Sequence, residues 1–194
     1  KYSSLATMLI DNSSILTMNF DNFSIRLLSP DDCSDFFNLI ERNRPRLEAF
    51  FSGTVSKTRS LEDTQEYITE ILKKIDQKTY LPFFLVNTYD NSLIGFVDIK
   101  NIDWNIPKGE LGCFIDEYYS NKGISKKALI NFTDFCFKNY GFKKLFLRTH
   151  ETNHAAKKLA ENCGFEIEGI IRRDYKTTTG ELVDLLYYGK LSSD

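Results

Sequence analysis

"YSNKGISKKAL", Tyr119–Leu129, sets a glycine and several small polar residues directly ahead of an apolar helical pattern. A helix beginning near Ser125 would turn Ala128, Leu129, Phe132, Phe135 and Cys136 toward a core. Packing of that stripe would fix the first-turn amides in place. Unpaired N–H groups there, with those of the preceding loop, can hold phosphate oxygens. Gly123 allows close approach of backbone and ligand, and Lys122 and Lys126 add positive charge. Solvent-facing lysines also serve solubility alone, and one glycine before a helix fits an ordinary helix start equally well. The surrounding order of elements has to decide.

Downstream, "KKLFLRT" reads as a strand, "NHAAKKLAENCG" as a shorter helix, and "FEIEGII" and "ELVDLLYYGKL" as closing strands. Upstream, "GELGCFIDEYY" is a strand, and "YLPFFLVNTYDNSLIGFVDIKNIDW" forms a hairpin turning through Asp90 and Asn91. "SLEDTQEYITEILKKI" is a helix with Ser60 and Asp63 at its start and Leu61, Ile68, Ile71, Leu72 and Ile75 at helical spacing. Earlier, "FSIRLL" alternates as a strand with Phe23, Ile25 and Leu27 on one face. Ser29, Pro30 and Asp32 then open a helix through "CSDFFNLIE". Pro45 is expected to interrupt that run and leave "RPRLEAFF" as a short second helix. The fold class that follows is α/β, a mixed and mostly antiparallel twisted sheet with helices on both faces. Residues 1–22 read as an N-terminal extension and 23–194 as a single domain, with no internal repeat or linker.

The chain of 194 residues is 42% apolar, with 16 phenylalanines and 10 tyrosines, enough for one core and against disorder. Its 25 basic and 27 acidic residues nearly cancel, so nothing global draws it to nucleic acid or anionic lipid. Cys33, Cys113, Cys136 and Cys163 are far apart and form no CxxC pair, which reads as buried free thiols in a reducing compartment. His150 and His154 lack further ligands for a metal and suit cap, surface or cleft-edge positions. The opening "KYSSLATMLIDNSSILTMNFDNF" lacks the long apolar centre of a signal peptide, and no stretch approaches a membrane span. A cytoplasmic protein is expected.

In this order the chain resembles the GCN5-related N-acetyltransferase superfamily, within it the ribosomal-protein N-terminal acetyltransferase-like group. The resemblance runs from about Phe23 to Leu191 and is carried by "SIRLLSPDD", "ERNRPRLEAF", "LIGFVDIKNIDW", "KGELGCFIDEYYSNKGISKKAL", "HETNHAAKKLAENCGFEIEGIIRR" and "GELVDLLYY". It implies acetyl-CoA as cosubstrate and CoA as product. The pyrophosphate would lie on Ser120, Asn121, Lys122, Gly123, Ile124, Ser125 and Lys126. Ser120 stands where relatives carry glutamine or arginine, and Asn121 where they often carry a second glycine. Because the main bonds come from backbone amides, these departures need not abolish binding. The resemblance also implies that Phe114 and Ile115 run beside the pantetheine arm, on a strand that separates from its neighbour, and that Asn153 contacts the arm. From the residues alone, Asn153 is a helix cap.

The resemblance further implies Glu110 as the base that takes a proton from the acceptor amine, directly or through water; a surface glutamate at a strand start is the plainer reading. An amide from Cys113, Phe114 or Ile115 would stabilise the oxyanion, with Cys113 not a nucleophile. The positions where relatives carry a donor to the thiolate hold Ala156 and Ala160, which leaves water, Tyr175 or Tyr119. Asn43, Arg44, Phe50 and Trp104 match regions lining the acceptor cleft; helix-boundary, surface and packing roles are their alternatives. The acceptor would be a protein N-terminal amine or a small amine, and a homodimer is compatible with the closing strands. The competing reading is a non-catalytic CoA-responsive binding protein.

Overall fold

The computed structural model describes residues 17–177 and 179–194. In chain order the strands are β1 (Thr17–Phe20), β2 (Phe23–Leu27), β3 (Leu81–Asn87), β4 (Leu93–Asp103), β5 (Lys108–Ile115), β6 (Lys144–His150), β7 (Glu166–Lys176) and β8 (Leu182–Leu191). The helices are α1 (Cys33–Leu47), α2 (Ser52–Ser56), α3 (Leu61–Asp76), α4 (Ile124–Phe135) and α5 (His154–Asn162). The strands form one eight-stranded sheet in the order β1-β2-β3-β4-β5-β6-β8-β7. Every neighbouring pair is antiparallel except β5–β6, which is parallel.

Both faces of the sheet are covered, because its central strands are apolar on both sides. On one face Ile25, Phe83, Leu85, Val97 and Ile99 meet Leu129, Phe132 and Cys136 from α4 and the π-helical turn that continues it. On the other, Phe84, Val86 and Phe96 meet Phe36, Leu39 and Ile40 of α1 and Ile68 and Ile71 of α3. Phe132 is fully buried against Phe83, with ring centroids 5.0 Å apart. Emptying such a site costs about 3–5 kcal/mol, so the start of α4 is held firmly against the sheet.

The expected capping box is present: Ser29 caps the turn Pro30–Asp32, and Asp32 accepts from the Ser29 amide at 2.7 Å. Ser60 caps α3 through the Asp63 amide at 3.0 Å. Pro45 does not end α1, which continues to Leu47. Proline removes only one donor in the last turn, and Leu47, 2% exposed, keeps that turn packed. Phe50 and Phe51 therefore lie beyond the helix, and the short helix that follows starts at Ser52. Leu61, the first residue of α3, is half exposed and takes no part in the buried stripe.

The sheet also begins earlier than expected. β1 pairs with β2 from Thr17↔Arg26 to Phe20↔Phe23, and Met18 and Phe20 pack on the core. The rest of the stretch read as an N-terminal extension, residues 1–16, lies outside the described residues.

Candidate functional site

The parallel pairing of β5 and β6 is short. It joins Lys108–Glu110 to Lys144–Phe146 and then stops. β5 continues to Ile115 bonded only to β4, while β6 continues to His150 bonded only to β8. The two strands splay, and from Leu111 to Ile115 one edge of β5 has no strand beside it among the described residues. Unpaired backbone groups at such an edge need a partner. Phe114 and Ile115 both lie on this segment. The Ile115 carbonyl is already taken by the Arg46 guanidinium.

The chain leaves β5 through a braced turn. Arg42 pairs with Asp116, Asn43 accepts from the Glu117 amide at 3.0 Å, and Asp116 accepts from the Tyr118 amide at 3.0 Å. Ser120 donates to the Asp116 carbonyl at 3.4 Å and accepts from Arg46 at 3.5 Å. Asn121 (φ 60°) and Gly123 (φ 77°) then adopt left-handed backbone, which asparagine tolerates better than most residues and glycine without cost. A Cβ on Gly123 would meet nothing within 4 Å. Its glycine answers to backbone conformation and not to crowding.

Gly123 is the N-cap of α4 and supplies no side chain to it. The first-turn amides of a helix have no intrahelical acceptor, and among the described residues no capping side chain accepts from them. Ile124 is buried, so only its amide is offered, whereas Ser125 is half-buried and Lys126 exposed. Lys122 lies 4.1 Å over the Tyr118 ring. Several amides facing outward at a positive helix end, with lysines beside them, suit a diphosphate. Asn153 caps α5, accepting from the Ala156 amide at 3.1 Å.

On the α1–α3 side of the sheet the polar groups are tied to one another. Glu110 is 4% exposed, and its Oε2 accepts from Asn101 at 2.6 Å and Arg148 at 2.8 Å. Its Oε1 faces Lys100 at 3.9 Å. Asn101 sits in left-handed backbone at an irregularity in the β4–β5 ladder, which turns its amide toward Glu110. Arg148 also pairs with Asp174 of β7. Burial pushes the Cys113 thiol up to about 12, which disfavours a thiolate nucleophile there.

The residues expected along the acceptor cleft are only partly brought together. Asn43 is buried and structural, donating to the Leu39 carbonyl at 2.9 Å. Arg44 is spent on Glu41 and on the carbonyls of Val55 and Thr58, which tie α1 to α2 and the turn after it. Phe50 does reach the splay, edge-on to His150 with centroids 5.6 Å apart. Trp104 sits in the turn between β4 and β5, at the opposite end of β5 from Phe114. Its indole donates to the Lys78 carbonyl at 2.8 Å and its ring stacks on Phe142 at 5.0 Å.

His150, expected at a cap, surface or cleft-edge position, and Tyr175, expected as one possible donor, lie together with Ser52, which sequence reasoning did not assign. His150 ends β6 and packs edge-on against Tyr175, with centroids 5.1 Å apart. Its Nε2 is buried with no partner among the described residues, and burial pushes its pKa down. The Tyr175 hydroxyl is 2.6 Å from Ser52 Oγ, which links β7 to the start of α2. Tyr119 points elsewhere, against Phe23 and Asn87. Neither Ser52 nor Arg148 carries a local motif; strand register brings Arg148 here, and Ser52 arrives as the first residue of α2.

Comparison with known proteins agrees with this geometry. The profile of the Acetyltransferase (GNAT) domain matches residues 22–166. A relative in Bacillus subtilis (strain 168), named "Putative ribosomal N-acetyltransferase YdaF", is 27% identical over 173 residues, covering 88% of this chain and 92% of its own. Two solved structures share the fold. The ribosomal-protein-S5-alanine acetyltransferase of Vibrio fischeri superposes with a TM-score of 0.82 at 22% identity, covering 92% of this chain and 98% of its own. RimL, a ribosomal L7/L12 alpha-N-protein acetyltransferase solved in complex with coenzyme A, gives 0.83 at 15% identity, covering 91% and 97%. A profile match over most of the chain, on a sheet that opens beside an uncapped helix start, leaves one conclusion: this chain belongs to the GNAT acetyltransferase family.

Proposed function

We propose that this protein transfers the acetyl group of acetyl-CoA to a primary amine, with a protein N-terminus as the acceptor class. The observation that carries the proposal is the conjunction of the splayed β5 edge with the left-handed loop at Asn121 and Gly123 leading into an uncapped α4. The amides of Gly123, Ile124 and Ser125, with Lys122 and Lys126, hold the diphosphate. The free edge of β5 at Phe114, with Asn153 opposite, aligns the arm. When bound, acetyl-CoA supplies the thioester carbonyl that an amine attacks.

The chain's own groups do the remaining work. Glu110 Oε2 is saturated by Asn101 and Arg148, which fix the carboxylate and leave Oε1 to accept the amine proton. An amide of Cys113 or Phe114 is a fixed dipole available to a developing oxyanion. The Tyr175 hydroxyl is the donor on this side of the sheet, since Ala156 and Ala160 carry none. Phe50, Phe51 and His150 shield the opening from water. That the acceptor is a protein N-terminus is supported by relatives and neighbours named for ribosomal-protein acetylation. We carry the cytoplasmic location and a homodimer as part of the same proposal; light scattering of the purified chain tests the second.

A screen of amines and N-terminal peptides with acetyl-CoA, reading CoA release and product mass, tests this function. Several turnovers per protein on at least one amine are expected. Binding of CoA with no acetylated product would favour the non-catalytic reading, for which the alanines at 156 and 160 speak.

A further inference from the structure

Three arginines lie in the second half of α1, and one of them keeps an unneutralised charge. Arg42 pairs with Asp116 and Arg44 with Glu41. Arg46, in the last turn, is exposed and meets no carboxylate among the described residues. Its partners are three neutral oxygens: Asn43 Oδ1 at 3.0 Å, the Ile115 carbonyl, and Ser120 Oγ at 3.5 Å.

An exposed arginine ordinarily samples many rotamers, because fixing it costs about 2 kcal/mol of side-chain entropy. This one is held from beneath. Asn43 is buried and donates to the Leu39 carbonyl one turn back in α1. The Asn43 Oδ1 that accepts from Arg46 also accepts from the Glu117 amide at 3.0 Å. One buried amide side chain therefore sets the guanidinium and the turn after β5 in a single frame. The guanidinium spans from the end of β5, at the Ile115 carbonyl, to the first residue of the loop, Ser120. A guanidinium carries five N–H donors. Both on Nη2 are used, by Asn43 and Ile115, and one on Nη1 reaches Ser120. The Nε donor and the second on Nη1 have no acceptor among the described residues. A fixed cation with unused donors, at the start of a loop whose amides suit a diphosphate, is itself suited to an anion.

We propose that Arg46 is a further cosubstrate-binding residue, whose guanidinium reaches the diphosphate of CoA from α1 while the amides of Gly123, Ile124 and Ser125 hold it from the loop. The inference rests on the acetyl-transfer reading above. It gives the site a fixed positive charge that the uncharged Ser120 does not supply. Because the same guanidinium holds the Ile115 carbonyl, it also ties the place of the diphosphate to the strand along which the arm is aligned.

The test is calorimetric titration of CoA and of 3′-dephospho-CoA into the full chain and its Arg46→Met and Arg46→Lys variants, each with folding verified by circular dichroism. Arg46→Met should weaken CoA about tenfold or more, the loss of one charge-assisted hydrogen bond. It should weaken 3′-dephospho-CoA by the same factor, because both ligands carry the diphosphate. The factor should shrink at high sodium chloride, which screens an exposed charge, and Arg46→Lys should recover part of it by restoring the charge. Unchanged CoA affinity in folded Arg46→Met would overturn the proposal. So would a loss confined to CoA, which would put the guanidinium on the 3′-phosphate. A loss that salt leaves alone and lysine does not restore would equally overturn it, by reducing Arg46 to a clamp on Ile115. Arg46→Gln carries no charge but can still donate to the Ile115 carbonyl, and it serves with the same outcomes should Arg46→Met not fold. A wild-type chain that takes up no CoA would sink the acetyl-transfer reading together with this inference, whereas wild-type binding that Arg46→Met retains in full would remove this inference alone.

Discussion

The loop from Ser120 to Lys126 follows the end of β5 and Glu110 lies near its start, and the two regions are built from opposite materials. The loop is main chain: left-handed turns at Asn121 and Gly123, then helix amides without a capping side chain. The Glu110 surface is side chain, with Asn101 and Lys100 of β4, Arg148 of β6 and Asp174 of β7 linked by hydrogen bonds and ion pairs. A main-chain site depends on backbone conformation and tolerates changes of side chain. A side-chain network loses its geometry when any one member is removed. This is why Ser120 and Asn121 can depart from the family's common loop while the fold still presents its amides.

The difference can be pressed experimentally, first at its sharpest point. Glu110→Gln keeps the shape and removes the proton acceptor, so kcat should fall by about 10²–10⁴-fold while CoA affinity, measured by calorimetry, stays within about threefold. Equal losses in both would mean that the two regions are not separable. Gly123→Val is the converse. It forces a β-branched residue into left-handed backbone, at a local cost of about 1–2 kcal/mol, and CoA affinity should drop about tenfold or more. Retained affinity would show that the amides of this loop do not grip the cosubstrate.

A smaller effect distinguishes network from backbone by stability. Arg148→Met leaves the buried Glu110 without its guanidinium and should lower unfolding free energy by about 2 kcal/mol in denaturant titrations. No loss would make the ion pair incidental. The smallest effect concerns pH. Burial lowers the His150 pKa in the folded chain, so the native state favours the neutral ring. Its contribution to stability should be complete above the unfolded value of 6.5 and be lost as pH falls through the lower folded value. His150→Phe should flatten that slope in thermal unfolding between neutral and mildly acid pH; an unchanged slope would exclude His150 as its source.

The same contrast explains what could be read from the residues in order. The loop was legible because its signal is local: a glycine, small neighbours and an apolar stripe from Leu129 to Cys136. The hairpin at Asp90 and Asn91, the caps at Ser29 and Ser60 and the sheet-and-helix order were legible for the same reason. Pro45 misled because burial of Leu47 outweighs one missing donor, and β1 escaped because an edge strand of four residues carries little periodicity. The Glu110 surface was nearly illegible. Arg148 reaches it only through register and Asn101 through an irregular β4–β5 ladder, while Tyr175 reaches His150 and Ser52 through a late strand that returns beside α2. Trp104 and Arg44 looked like cleft residues, yet one stacks on Phe142 and the other holds α1 to α2.

The whole account depends on the main chain at 120–126 and the free edge of β5 accepting one molecule together. Calorimetric titration of CoA into the purified chain, with folding verified by circular dichroism, measures this directly. One saturable site, weakened by Gly123→Val and nearly untouched by Glu110→Gln, is the predicted result. A folded chain that takes up no CoA would contradict it.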